Sequence, residues 1–309
     1  MEPFCNERHF SYAAGRAEQG MAVGQFLKEK GYSRHALTLL KQTEGGILCN
    51  GSEVYLNQLL REGDRVDLFL KEEVPEEIEP VELPFGIVYE DEDLMVVDKP
   101  ADMPVHPSMR NHDNTLANAA AWYGREKGDR FVYRCVNRLD RDTTGLLILA
   151  KHILSASGLY RQMREREIHR TYLAIVKGLI RKAGTIDLPV GRKEDSAIER
   201  MIDPDHGERA VTHYRPICYG NDWTLIECRL ETGRTHQIRV HMSSFGHPLV
   251  GDFLYGDREE QMPRQALHSW KLSFVHPITG EFLEFVSPLP SDMQKYMKER
   301  AKNEVSDDT

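Results

Sequence analysis

The 309-residue sequence contains no apolar run approaching the roughly 18 residues needed to cross a bilayer. Its opening stretch, MEPFCNERHF, lacks the apolar core of a signal peptide. These absences predict a cytoplasmic protein with no membrane partner. Five cysteines (Cys5, Cys49, Cys135, Cys218, Cys228) form no CxxC pair and are odd in number, which argues against a disulfide framework or a zinc knuckle. There is no HExxH, and His236 and His241 lie five apart, on different helical faces, so no metal is expected. GxGxxG and Walker loops are missing too, so neither a nucleotide nor any other cofactor is signalled. What remains is a chain long enough for one or two domains with proper cores, working through ordinary side chains.

The net charge of −9 argues against an indiscriminate polyanion binder, yet it is unevenly spread. Residues 72 to 93 hold ten carboxylates and no Lys or Arg. Residues 134 to 182 hold eleven basic and four acidic side chains, a local +7. A basic surface is therefore expected near this second stretch, and an acidic strap elsewhere.

The chemistry centres on Arg134 to Lys151, RCVNRLDRDTTGLLILAK. An alternating apolar stretch (Phe131, Tyr133, Cys135) leads in, and the continuous run Leu146 to Ala150 leads out as a strand buried on both faces. Between them, Asp142 to Gly145 have the composition of a tight turn. Asp140 is thereby held at the mouth of two strands, with Arg138 and Arg141 close by. A carboxylate beside guanidinium groups suits a nucleophile or base rather than an acid.

Ahead of this lies a small unit. Val23, Phe26 and Leu27 space as one helix, Ser33 caps a second carrying Leu37, Leu40 and Lys41, and Asn50-Gly51 makes a hairpin turn before the alternating strand Val66, Leu68, Leu70. A domain over residues 15–72 is expected, then an acidic, proline-punctuated linker over 73–84. The stretches SRHALTLLK, GGILCNG and LREGDRVDL resemble the S4 RNA-binding domain. That resemblance implies that Ser33, Arg34, Lys41, Asn50 and Gly51 face RNA phosphates.

A second domain is expected over 85–295, with a charged, frayed tail over 296–309. Within it, Ile168 to Val176 reads as a strand with Arg170 and Tyr172 on one half-exposed face. Thr235 reads as the cap of a helix that buries Ile238, Met242 and Phe245 and carries Arg239 on an adjacent face. An arginine so placed can act as a fixed partner for a carboxylate, though spacing does not say which one.

Four stretches in order, NRLDRDTTGLLILAK, RTYLAIVKG, LETGRTHQIRVHMSSFGHPLVGDFLYGD and LHSWKLSFVHPITGE, closely resemble the RluA/RluD family of pseudouridine synthases across residues 85 to 287. The fold this implies is α+β: a small S4-like unit, then a catalytic domain with a central mixed, largely antiparallel sheet flanked by helices. The implied activity is isomerisation of uridines in RNA, most naturally large-subunit ribosomal RNA, by a monomer without cofactors. The resemblance makes Asp140 the catalytic carboxylate, Tyr172 the platform for the base and Arg239 the partner of Asp140. Arg138 would hold the target nucleotide out of its helix. It leaves open whether Asp140 attacks C1′ or acts as a base.

The sequence departs from the family pattern at Asn137, Thr144, Arg170 and Asp102, the last standing where glycine is usual. Three alternatives compete: an inactive RNA-binding or ribosome-assembly factor, transfer RNA as the substrate, and a small-molecule hydrolase. The last would leave the S4-like unit unexplained.

Overall fold

The computed structural model describes residues 5–75, 77–109, 111–196, 198–259 and 261–302. The chain first builds β1 (Cys5–Ala13), α1 (Val23–Glu29), α2 (Arg34–Gln42), β2 (Ile47–Cys49), β3 (Ser52–Glu53) and β4 (Arg65–Glu73). The strands form a sheet in the order β1-β4-β2-β3. Ser33 Oγ accepts the Ala36 N–H at 3.2 Å and so starts α2. Asn50 and Gly51 take φ of 50° and 79°, the left-handed pair a two-residue hairpin turn requires. Val66, Leu68 and Leu70 point inward from β4 onto Phe26, Leu27, Leu37 and Leu40.

Strand β1 corrects the expected start at residue 15. It pairs with β4 along its whole length, from Cys5 opposite Glu73 to Ala13 opposite Arg65. Among its described side chains, only Phe10 and Tyr12 are apolar groups facing the core, so its sequence pattern is weak.

The second sheet uses β5 (Gly86–Glu90), β6 (Leu94–Lys99), β7 (Arg134–Cys135), β8 (Thr144–Ala150), β9 (His169–Lys177), β10 (Gly184–Asp187), β13 (Val211–Tyr219), β14 (Trp223–Leu230), β15 (Leu267–Val275) and β16 (Phe282–Val286). β11 (Val190–Arg192) and β12 (Arg200–Ile202) form a separate ribbon. The main order is β10-β13-β14-β9-β15-β8-β6-β5, with β7 on β8 and β16 on β15. All its pairings are antiparallel except β15 with β8. The helices are α3 (Leu116–Lys127), α4 (Ile153–Glu165), α5 (Gln237–Ser244) and α6 (Ser291–Lys302). This is the expected mixed, largely antiparallel sheet. All seven residues of β8 are buried, which is why its sequence reads as a continuous apolar run. Where β8 meets β15, Gly145 has φ +107°, and a Cβ there would lie 2.3 Å from the Ser269 carbonyl oxygen. Only glycine permits this approach.

Helix α6 corrects the expected tail. Met293 and Tyr296 are buried against Ile175, Trp223 and Leu225, so ordered chain continues through Lys302; residues 303–309 lie outside the described residues. Helix α5 corrects the expected cap. His236, not Thr235, occupies that position, in a left-handed conformation and without a side-chain cap. Phe245 is 48% exposed rather than part of the buried face. No helix among the described residues is long and apolar enough to cross a membrane.

The two sheets are joined by buried polar contacts. Glu72 of β4 accepts from Arg134 Nη2 at 2.7 Å and from the Ile153 N–H at 2.9 Å, placing a carboxylate at the start of α4. Arg8 of β1 reaches Asp93 at 2.6 Å, and Asp93 also pairs with His152 Nε2 at 2.9 Å. Ile153 and Leu154 of α4 pack into the core of the first sheet. The acidic segment after β4 has no helix or strand among its described residues but is tied to α3, since Asn118 Nδ2 donates to the Glu79 carbonyl at 2.8 Å.

A second buried ion cluster gives a prediction. Glu90 receives Lys127, Lys151 and Tyr123, with Lys151 only 3% exposed at its side chain. Burial works against its charge, but these three hydrogen bonds prevail and hold Glu90 at about 2. A folded-state value below the unfolded one adds stability that is complete above about pH 4.5 and lost as pH falls through about 2. Glu90→Gln should therefore be about 1–3 kcal/mol less stable than wild type at neutral pH. In urea unfolding, that gap should shrink to roughly half or less by about pH 3. A gap that stayed constant with pH would contradict this.

Candidate active site

A cleft of about 810 Å³ opens between the β7–β8 loop, the Arg170 and Tyr172 side of β9 and the start of α5. Its floor is set by the β7–β8 loop, which several buried groups hold in place. Asn137 Oδ1 accepts the Ile148 N–H at 2.9 Å, leaving its buried Nδ2 without a partner among the described residues. Lys99, fully buried at the end of β6, donates to the carbonyls of Pro100, Met103 and Arg141 at 2.7, 2.9 and 2.8 Å. Burial pushes Lys99 down to about 7, opposed by the nearby Asp142 and Asp140 charges. Three carbonyl acceptors use all three hydrogens of an ammonium, so the geometry favours the charged form. Because Arg141 follows Asp140, Lys99 pins the loop next to the carboxylate.

Asp102 has φ 55°, which accounts for glycine being usual at this place. Its side chain turns outward, 81% exposed, toward Arg141 Nε at 3.4 Å. The backbone of the loop is thus kept, and the extra carboxylate sits on the solvent side.

Asp140 stands at the cleft wall with its side chain 22% exposed. Its Oδ2 accepts from Arg239 Nη1 at 2.9 Å. Oδ1 has no hydrogen-bond partner among the described residues and is left for a ligand. Arg239 extends from α5 and is itself held from behind. Its Nε and Nη2 donate to Asp252 Oδ2 and Oδ1 at 2.7 and 2.8 Å. Asp252 is fully buried and also accepts the Leu254 and Tyr255 N–H groups at 3.1 and 3.3 Å. Burial acts against Arg239's charge, but Asp252 and Asp140 together hold it well above its ordinary value. One guanidinium therefore makes a two-point contact with a buried carboxylate and presents its remaining edge to Asp140. The Tyr255 ring lies beneath it, 5.1 Å from the guanidinium carbon. His236 Nε2 is 3.8 Å from Asp140, and burial lowers its basicity, keeping it neutral at neutral pH. Its Nδ1 bonds the Tyr255 hydroxyl at 2.7 Å.

Tyr172 lines the same cleft but is 5% exposed, not half-exposed as expected. Strand β9 lies between β14 and β15 in the interior of the sheet, and all its residues between His169 and Lys177 are buried. Burial raises the Tyr172 phenol above its ordinary range, so it stays neutral. Arg138 is exposed at the rim.

The cleft is strongly one-sided in charge. Among the described residues, seven arginines line it, at 138, 141, 170, 192, 200, 234 and 239, against the single carboxylate of Asp140. Such a surface draws in a polyanion.

The structure thus brings together Asp140, Tyr172, Arg239 and Arg138, but none of the five residues assigned to the S4-like unit lines this cleft. Ser33 lies against α4, accepting from Ser157 Oγ at 2.9 Å as well as capping α2. Asn50 is engaged internally, with Asp64 and the Arg65 N–H at 2.9 Å each. Arg34, Lys41 and Gly51 are exposed. Asp252, Lys99, His236 and Tyr255 were not anticipated. The acid in the VGDFLYGD stretch was the available signal, since an Asp among apolar residues needs a cationic partner.

Among the described residues, Asp91, Asp93 and His276 are close enough to share a metal. They lie outside the cleft, beside the contact between the sheets. His276 Nδ1 accepts the Ile278 and Thr279 N–H groups, so its Nε2 carries the hydrogen donated to Asp91 and is no ligand as it stands.

Comparison with known proteins agrees with this geometry. The family model described as RNA pseudouridylate synthase matches residues 93–244. An uncharacterized RNA pseudouridine synthase of Bacillus subtilis, YjbO, is 42% identical over 280 residues, covering 90% of this chain and 99% of its own. A protein of Zymomonas mobilis named ribosomal large subunit pseudouridine synthase D is 45% identical over 238 residues, covering 72% of this chain and 75% of its own. The solved structure of human RNA pseudouridylate synthase domain containing 1 superposes with a TM-score of 0.56 at 30% identity, over 66% of this chain and 83% of that one. Likeness of this depth, running through the cleft and the strands that build it, shows that the chain belongs to the RluA/RluD family of RNA pseudouridine synthases.

Proposed function

We propose that the protein converts particular uridines of large-subunit ribosomal RNA to pseudouridine, with Asp140 as the catalytic carboxylate. The observation that carries this reading is the Asp252–Arg239–Asp140 chain, which aims one carboxylate into a cleft otherwise lined by cations. The substrate assignment draws on the Zymomonas relative and on similarly named proteins of Nitrosomonas europaea and Haemophilus influenzae.

The reaction breaks the N1–C1′ bond of a uridine, joins C5 to C1′, gives N1 a proton and releases the proton from C5. Atoms and electrons balance within the substrate and water. A stacked uridine must leave its helix first, at a cost of a few kcal/mol. Arg138 at the rim is placed to hold the vacated position, and Tyr172 offers its ring to the base. Asp140 Oδ1, the oxygen Arg239 leaves free, either attacks C1′ or takes a proton. Arg239 keeps that oxygen aimed and anionic.

In this reading the first sheet, over the expected S4-like domain, adds RNA contact through exposed Arg34 and Lys41. Its buried junction with α4 sets a fixed distance between those contacts and the cleft. The protein acts as a cytoplasmic monomer.

Incubation with unmodified large-subunit ribosomal RNA and with transfer RNA transcripts, followed by mapping of pseudouridine, tests this. Conversion of discrete sites in the ribosomal transcript is expected. Product on transfer RNA alone would correct the substrate, and no product on either would favour a binding factor.

A further inference from the structure

Among the described residues, Arg170 is the one buried guanidinium of the cleft that has no partner. It is 9% exposed, its Nε is shielded from water, and its side chain makes no hydrogen bond or ion pair there. The other deeply buried arginines are engaged: Arg239 with two carboxylates, and Arg264 with Asp292 and three carbonyls. An unpaired cation set this deep is costly, and its two Nη groups, unlike Nε, still open on the cleft, where a ligand can supply the missing charge.

The position of Arg170 is built rather than incidental. It projects from β9 two residues before Tyr172, and both side chains line the cleft. Gly233, in the segment between β14 and α5, gives it room: a Cβ there would sit 2.6 Å from Arg170 Nη1. The missing charge does not come from Asp140, whose ion pairs among the described residues are with Arg239 and His236 and not with Arg170. Nor does it come from uracil, which is neutral. In an RNA substrate the group that carries one negative charge per nucleotide is the phosphodiester.

We propose that Arg170 binds a backbone phosphate next to the target uridine, fixing the nucleotide's sugar while its base lies against Tyr172. This rests on the cleft being the RNA site, and it adds a specific anchor to the diffuse attraction of the rim arginines. Arg170 is then a substrate-binding residue: its loss should weaken capture of RNA far more than the chemical step.

The test uses the full chain with Arg170→Met, Arg170→Lys and Gly233→Ala. Equilibrium binding to a single-stranded oligouridylate is measured across salt concentrations, alongside kcat and KM on unmodified large-subunit ribosomal RNA. Removing one phosphate interaction should make the slope of log affinity against log salt shallower by about 0.7. For Arg170→Met we expect that change, a KM raised about tenfold and kcat within about threefold, the ratio one charged hydrogen-bond pair supports. Its melting temperature should equal or exceed that of wild type, because an unpaired buried charge has gone. Arg170→Lys should restore the slope, and Gly233→Ala should mimic Arg170→Met by displacing the guanidinium.

An unchanged salt slope would overturn the proposal. So would a collapse of kcat with KM intact, which would place Arg170 on the reacting base. A fall in melting temperature that tracks the loss of activity would make the residue structural. If wild type forms no pseudouridine, the enzymatic reading fails, while the oligouridylate slope still decides the phosphate interaction.

Discussion

Asp140→Asn should abolish pseudouridine formation while leaving RNA binding intact or slightly tighter. The amide has the size and shape of the carboxylate, and its oxygen can still accept from Arg239 Nη1, so the site keeps its form. What it lacks is the anionic oxygen that faces the cleft. Removing the reacting member of an interdependent set costs at least about 10³-fold in rate, or roughly 4 kcal/mol of barrier. Binding should not weaken, since the seven arginines remain and the one negative charge among them is gone. Stability should hardly change, because Arg239 keeps its two-point contact with Asp252. Single-turnover conversion, a filter-binding affinity and a melting curve check the three parts separately. A variant that lost binding and activity together would point to a structural role for the loop.

Arg239→Met should be the most destabilising change in the site. Methionine keeps much of the stem volume, but it strands Asp252, which is fully buried and would be left with only two backbone N–H donors. Breaking one side of a buried ion pair costs about 3–5 kcal/mol, a large share of the roughly 5–15 kcal/mol that holds a typical domain together. The melting temperature should fall by roughly 6–15 °C. Activity should fall as well, because among the described residues only Arg239 hydrogen-bonds the Asp140 carboxylate. The double variant Arg239→Met with Asp252→Asn separates the two effects: removing the stranded charge should recover much of the stability and none of the activity. Recovery of both would mean that Arg239 serves the fold alone.

How much of this was legible beforehand depended on how local the cause was. The β7–β8 loop and β8 could be read because a polar turn between apolar runs is a short-range pattern. The cap at Ser33 and the Asn50-Gly51 hairpin were legible for the same reason. The pairing of Arg239 with Asp140 came from resemblance, since 99 residues separate them and no spacing rule spans that distance.

Other features were set by contacts the sequence does not display. Thr235 looked like a cap, but Gln237 Oε1 already accepts the Arg234 N–H at 3.0 Å, and the chain turns through His236 instead. Tyr172 looked half-exposed beside Arg170, but that rested on Arg170 needing water. The structure buries both, and Arg170's burial becomes the anomaly that calls for a ligand. Strand β1 has too few apolar positions to announce itself and is held by its ladder to β4 and by Arg8 against Asp93. In α6, the stripe Met293, Tyr296, Met297 was outweighed by the charges around it, although three apolar residues at helical spacing were there to be read.

The central claim is that Asp140 drives a rearrangement in which the uridine C5 carbon takes the place of N1 on the sugar. The most direct measurement is release of tritium to water from RNA labelled at uridine C5, because forming the C5–C1′ bond expels that hydrogen. Wild type should release one tritium for each uridine converted, and a folded, RNA-binding Asp140→Asn variant should release none above background. Release by that variant at a rate within tenfold of wild type would contradict the account.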